Sequence, residues 1–424
     1  MQPFLVVLLV ALVVALAWAS RRRRARVRPP LAEAAFAEAV PGFQVVALGL
    51  QGSGKTLLLA SMYQRMQTPV GQSWFLTAPY DQVILLNKWF TQVADTERDW
   101  PSGTAKGESR DFTFTVQARV DDTAQTVLRL GYLEYAGELL TEPQPPGATY
   151  QDELIRRIGT AHALLGIIDG YRIRQFFDGR PEGQRHLQQT LTAMIAPMIQ
   201  ASAPVTFVIT KWDLLADLHT DENTRLHIVR NMLMSNPGFR DLVLVHSVRR
   251  VVRLIPVSAV GSGFATLDRQ GHVVKVPGGE MHPTNVDVPL AAVVPDIFEQ
   301  VERHLDAQVR QALLDEARRQ SRPEPVEALL TLGSYARKGL GAALTLALGA
   351  GAAAGLTEAA MSMFVDVRGE RKDDRWTRLD AQLSAADQAV ARLQQGRRRV
   401  LREMQSRVDV LEGRLPSSRL SGES

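Results

Sequence analysis

A doubly wound α/β domain with a mostly parallel sheet is the fold class this sequence predicts, and three observations carry it. The first is residues 44–66 (QVVALGLQGSGKTLLLASMYQRM), where an apolar run, a glycine-rich turn and a helical pattern follow one another. The second is a pair of continuous apolar runs, residues 163–169 (ALLGIID) and 205–209 (VTFVI). Runs of that kind suit strands buried on both faces of a parallel sheet, and residues 251–257 repeat the pattern. The third is the alternation of these runs with helical patterns over residues 151–162, 183–201, 223–234 and 296–317.

The chain has 424 residues, 45% of them hydrophobic and 22% charged, enough for one large domain or two small ones. Its formal charge of +4 conceals a local cluster, Arg21, Arg22, Arg23, Arg24, Arg26 and Arg28. Elsewhere acids and bases nearly balance, which argues against a nucleic-acid partner. With no cysteine, a disulfide scaffold, thiolate zinc sites and thiol catalysis are excluded.

In chain order, residues 1–20 come first, uncharged and containing FLVVLLVALVVALAWA. About 20 apolar residues match a bilayer core of ~30 Å. The arginines follow the apolar run instead of preceding it, so a signal anchor is expected rather than a cleaved leader. The positive-inside rule then gives a single-pass cell-membrane protein with its N-terminus outside and the rest cytoplasmic. Residues 21–42, basic and then proline-bearing, read as a linker, and residues 43–322 as the main domain.

The glycine-rich turn is the most specific signal. Gly49, Gly54, Lys55 and Thr56 fill the pattern GxxxxGK[ST], with Gly52 as a further glycine. Backbone N–H groups from Gln51, Gly52, Ser53 and their neighbours would converge at a helix N-terminus, where an anion is favoured. Lys55 would reach the β- and γ-phosphates of a nucleotide, and the Thr56 hydroxyl would donate one oxygen to a bridging Mg²⁺.

Residues 68–110 carry mixed signals, with a helical pattern around Val83, Ile84, Leu85, Leu86, Trp89 and Phe90, then a polar loop. Residues 111–118 and 126–135 alternate at period two around a turn and read as an antiparallel hairpin. Three short motifs then stand at strand ends. Glu134 and Gly137 bracket the end of the 126–135 strand, where a carboxylate could approach Mg²⁺ and an N–H could meet a γ-phosphate. Thr210, Lys211, Trp212 and Asp213 follow VTFVI. A carboxylate there can accept two hydrogen bonds from guanine, which adenine does not offer, while the Lys211 stem covers the base plane. Ser258 and Ala259 follow the third run and would turn a backbone N–H toward the guanine carbonyl oxygen.

Taken together, residues 43–317 resemble the translation-factor and Ras-like (TRAFAC) class of P-loop GTPases, and the segment after Glu134 looks most like the bacterial double-GTPase-like branch. The resemblance implies a P-loop NTPase fold with GTP/GDP and Mg²⁺ as cofactors. Gly49, Gln51, Gly52, Ser53, Gly54, Lys55 and Thr56 would bind phosphate, and Thr210, Lys211, Asp213, Ser258 and Ala259 the base. Thr56, Glu134 and a first-switch threonine, Thr104 ahead of Thr96, would hold the metal. Lys55, Gly137 and Glu138 would serve hydrolysis.

Four positions depart from the pattern. Glu134 replaces the usual aspartate, Gln51 the usual glycine, Glu138 the water-orienting glutamine and Thr210 the usual asparagine. Gln51 crowds the γ-phosphate, so slow or assisted hydrolysis is implied. The alternative is a non-hydrolysing membrane scaffold on a degenerate GTPase fold; an ATP-driven enzyme is a third reading in which TKWD has no role. The eight histidines form no ligand spacing.

Residues 264–276 read as a decorating hairpin. Past Pro323 and Pro325, residues 323–365 include an uncharged Ala/Gly-rich stretch expected to be helical. Residues 366–424 read as a coiled-coil-like tail with a disordered end. Its apolar positions alternate at three and four (Trp376, Leu379, Leu383, then Val400, Met404, Val408, Leu411 and Leu415), broken at Gly396. That tail could mediate self-association, and a protein effector is expected beside guanine nucleotide and the bilayer.

Overall fold

The computed structural model describes residues 42–69, 71–103, 109–120, 123–135, 150–248, 250–298 and 395–420. Among them is one seven-stranded sheet. In chain order its strands are β1 (Gly42–Leu48), β2 (Trp74–Thr77), β3 (Ser109–Val120), β4 (Thr123–Tyr135), β5 (Ala163–Asp169), β6 (Val205–Thr210) and β7 (Arg253–Pro256), arranged β2-β3-β4-β1-β5-β6-β7. β4, β1, β5, β6 and β7 run parallel, and β3 is antiparallel to both its neighbours. The fold is therefore α/β with a mostly parallel sheet, as the alternation of apolar runs predicts.

Every residue of β5 and β6 is buried, because helices cover both faces. These are α1 (Lys55–Met66), α2 (Tyr80–Ala94), α3 (Tyr150–Gly159), α4 (Gly170–Phe177), α5 (Pro181–Ile199), α6 (Glu222–Met234) and α7 (Pro237–Ser247). They are followed by α8 over residues 288–298 and α9 over residues 395–414. The sequence patterns passed over β2, α4 and α7. α7 is nonetheless well specified locally, with Pro237 in its first turn and the Asn236 side chain accepting from the Phe239 N–H. The 264–276 hairpin is present as β8 (Ala265–Leu267) and β9 (Val273–Lys275).

The tail requires a correction. Its apolar seam faces its own domain: Val400, Met404, Val408, Leu411 and Leu415 are all buried in the core shared with the sheet. The described tail residues 395–420 belong to the same compact unit as the sheet, so the boundary expected at 322 excludes a part of the domain. Gly396 is buried in the first described turn of α9, and whether the pattern is interrupted upstream of it lies outside the described residues. A three-and-four spacing is shared by coiled-coil seams and by amphipathic helices lying on a core, and here the core is the partner.

Charged clasps fix this position. Arg253 Nε donates to Glu412 (2.8 Å) and its Nη1 to Asp296 (3.2 Å), with Arg253 almost fully buried. Arg407 pairs with Asp287 and Glu403 and lies over the Trp74 ring. The Leu420 N–H donates to Val252 O (2.9 Å), and Arg419 bridges Arg253 on β7, covering that edge of the sheet. The remaining tail positions, Trp376 through Leu393, lie outside the described residues. So do residues 1–20 and the Ala/Gly-rich stretch; among the described residues no helix is long and apolar enough to cross a membrane.

Candidate functional site

The parallel register brings the sequence motifs to one edge of the sheet. Ala47 pairs with Glu134, Asp169 with Thr210, and Ile209 with Pro256, so the carboxyl ends of β1, β4, β6 and β7 stand at a common level. This is the carboxyl edge at which open α/β sheets bind ligands. A cleft of about 240 Å³ opens there. Its polar lining includes Lys55, Thr56, Glu134, Lys211 and Asp213, and Ala259 lines it too.

The glycine-rich loop takes its shape from Gly52 and Gly54, whose φ values of +74° and +84° lie in the left-handed region. Gly54 turns the chain directly into α1. Lys55 Nζ folds back over the loop and donates to Gly49 O (2.8 Å) and Leu50 O (3.0 Å). The Thr56 hydroxyl donates to Glu134 Oε1, and Glu134 is 1% exposed at the end of β4. The Thr56 hydroxyl and Glu134 carboxylate are two oxygen ligands that a small hard cation such as Mg²⁺ could take up, although among the described residues no three His, Cys, Asp or Glu gather as a metal cluster. Glu134 reaches this position despite being longer than aspartate. The Ser53 hydroxyl is buried without a hydrogen-bond partner.

The loop after β6 grips the glycine-rich loop. Thr210 Oγ1 donates to Ser53 O (2.6 Å), so this side chain acts as a strut between the two loops. Lys211, at φ +51°, donates from Nζ to Gly52 O (2.8 Å) and to Asp169 Oδ2 (2.9 Å). Asp169 also accepts from the Tyr171 N–H, capping α4. Sequence reasoning passed over Asp169, although it closes an apolar strand at the ligand-binding edge.

Asp213 sits in the short 3₁₀ turn Trp212–Leu218 and accepts from Ser258 Oγ (2.5 Å). Burial raises its pKa, partly offset by the Ser258 hydrogen bond and by Lys211. A largely desolvated carboxylate is primed for a ligand offering N–H donors. Ser258 is corrected in role. Its N–H donates to Thr284 O (3.1 Å), so that group is not turned to a ligand, while its hydroxyl orients Asp213 and accepts from the Gly261 N–H (2.7 Å). Ala259 lines the cleft, and its carbonyl accepts from Ser61 Oγ (2.8 Å).

Other expected residues are not part of this picture. Thr104, Gly137 and Glu138 lie outside the described residues. Thr96 is described but does not line the cleft. The cleft also has an apolar wall that the motifs do not announce, formed by Leu57, Trp100, Val260, Ala265 and Val273. Compared with protein-family models and with curated protein sequences, the chain matches none.

Proposed function

We propose that this protein is a membrane-anchored guanine-nucleotide switch, a P-loop GTPase whose domain lies on the cytoplasmic side. One observation carries the reading: Asp213, a desolvated carboxylate with Lys211 beside it, shares a single cleft with Lys55 and Thr56, and Lys211 is hydrogen-bonded to the glycine-rich loop itself. A ligand that satisfies both ends carries phosphates at one and paired N–H donors at the other, which is the chemistry of GTP and GDP.

In this reading the loop N–H groups and Lys55 hold the phosphates, exchanging the Gly49 and Leu50 carbonyls for phosphate oxygens. Thr56 and Glu134 would hold Mg²⁺, which supplies charge neutralisation to the β- and γ-phosphates when bound. Thr210 and Lys211 keep the two loops in register, and Ser258 fixes the Asp213 rotamer. Gln51 lines the cleft at the loop's crest, which favours slow or assisted hydrolysis. Membrane attachment rests on the sequence of residues 1–20. The competing scaffold reading is weakened by α9, since the second half of the tail seam is covered by its own domain.

Replacing Asp213 with Asn tests the base assignment. Asn turns an amide N–H₂ toward the guanine donors, so GDP affinity should fall about a hundredfold while xanthosine diphosphate affinity rises. Unchanged GDP binding by D213N would remove Asp213 from the site.

A further inference from the structure

The β8–β9 hairpin begins six residues after Ala259, and its contacts exceed those of a decoration. Ala265 and Val273 face into the cleft beside Val260. On one flank the hairpin is tied to the end of α2 and the segment that follows it. Lys275 Nζ donates to three backbone carbonyls, Gln92 O, Asp95 O and Arg98 O, each at 2.8 Å, and lies 5.0 Å from the Trp100 ring centroid. Trp100 Nε1 in turn donates to Val273 O (3.1 Å), and its ring meets Phe264 edge-on.

On the other flank the hairpin is tied to α4. The Tyr171 hydroxyl donates to Gly271 O at the hairpin turn (2.5 Å) and accepts from Gln175 Nε2 (2.8 Å). The same Tyr171 ring lies 5.7 Å from Lys211 Nζ, at the base end of the cleft. A hairpin of two three-residue strands does not hold its own position in water; its placement comes from these two tethers together with the packing of Ala265 on the Val93, Val260 and Phe264 cluster. The segments at its two ends carry Gly263 and Gly278 at φ +84° and +71°, with open space where a Cβ would stand. Glycine takes these φ values without side-chain strain, and the hairpin base beside them is held by the backbone bonds Val276 N–H to Phe264 O (2.9 Å) and His282 N–H to Val260 O (2.8 Å), which opening would break.

We infer that the hairpin is a strap across the base end of the cleft, anchored by Lys275 on one flank and Tyr171 on the other, so that a bound nucleotide leaves when the strap opens. Lys275 is a positioning residue: it touches no ligand, and acts by holding residues 95–100 and Trp100 against the hairpin. The inference rests on the guanine-nucleotide reading of this cleft and adds to it the element that governs release.

The test is the release rate of N-methylanthraniloyl-GDP, chased with excess GDP, from the full chain and from K275M and Y171F. Methionine keeps the apolar stem and removes the ammonium, and phenylalanine removes one hydroxyl. Each variant should release the nucleotide about tenfold faster, with a smaller change in association rate. Should K275M fail to fold, Y171F decides. Release within twofold of the unaltered chain by every variant that folds and binds overturns the strap and leaves the nucleotide site standing. An unaltered chain that binds no nucleotide overturns both.

Discussion

Asp213 concentrates the chemistry of the cleft in one side chain. Burial holds its pKa above the ordinary carboxylate value of 3.8, and the Ser258 hydrogen bond only partly compensates. The sign follows by linkage. Between the ordinary and the raised value the folded state binds more protons than the unfolded state, so this group's contribution to stability is greatest at low pH and is lost as pH rises through the folded pKa. In the proposed reading guanine binding has the opposite dependence, because it needs the ionised form. Titrating the unaltered chain and D213N should therefore show GDP affinity falling as pH drops through the raised pKa in the former alone. The nucleotide-free D213N protein should melt higher near neutral pH, since a buried charge is gone. Parallel pH profiles for the two proteins would remove the special role of Asp213. Residue identities here were legible from sequence because their chemistry is carried by type and order: Lys55, Thr56, Glu134, Lys211 and Asp213 all line one cleft. The role of Ser258 was not legible, because the partner of its N–H, Thr284, is fixed by a bridge between distant segments.

At the scale of elements, the buried strands announced themselves as unbroken apolar runs, and β3 and β4 as period-two alternation. β2 did not, being four residues long at the sheet edge. The hairpin at 264–276 was legible as a hairpin, but its tethers to α2 and α4 join residues about a hundred or more positions apart and leave no local trace. α9 shows the same limit from another side: periodicity gives the apolar face of a helix without saying what covers it. Its place on the core has an energetic consequence. Met404 is fully buried, so Met404→Ala should cost about 2–5 kcal/mol, seen as a lower urea midpoint at unchanged slope. Nucleotide affinity should be little altered, since Met404 does not line the cleft. A midpoint within error of the unaltered chain would mean that α9 is not part of the cooperative unit.

Across the whole molecule, the sheet order and register bring four strand ends to one edge, and the chain's last described segment returns to cover a different edge, that of β7. The domain thus closes with residues that are distant in sequence from its glycine-rich loop, and those residues include the buried Arg253, Asp296 and Glu412 cluster. Function at this scale is a claim about one ligand that spans the cleft from Lys55 to Asp213. It is tested most directly by competition of GTP, GDP and ATP for the purified full chain in the presence of Mg²⁺, with a fluorescent guanine nucleotide as the reporter. The account predicts displacement by GTP and by GDP and none by ATP at a hundredfold excess. Equal displacement by ATP, or no binding of any guanine nucleotide, would contradict it.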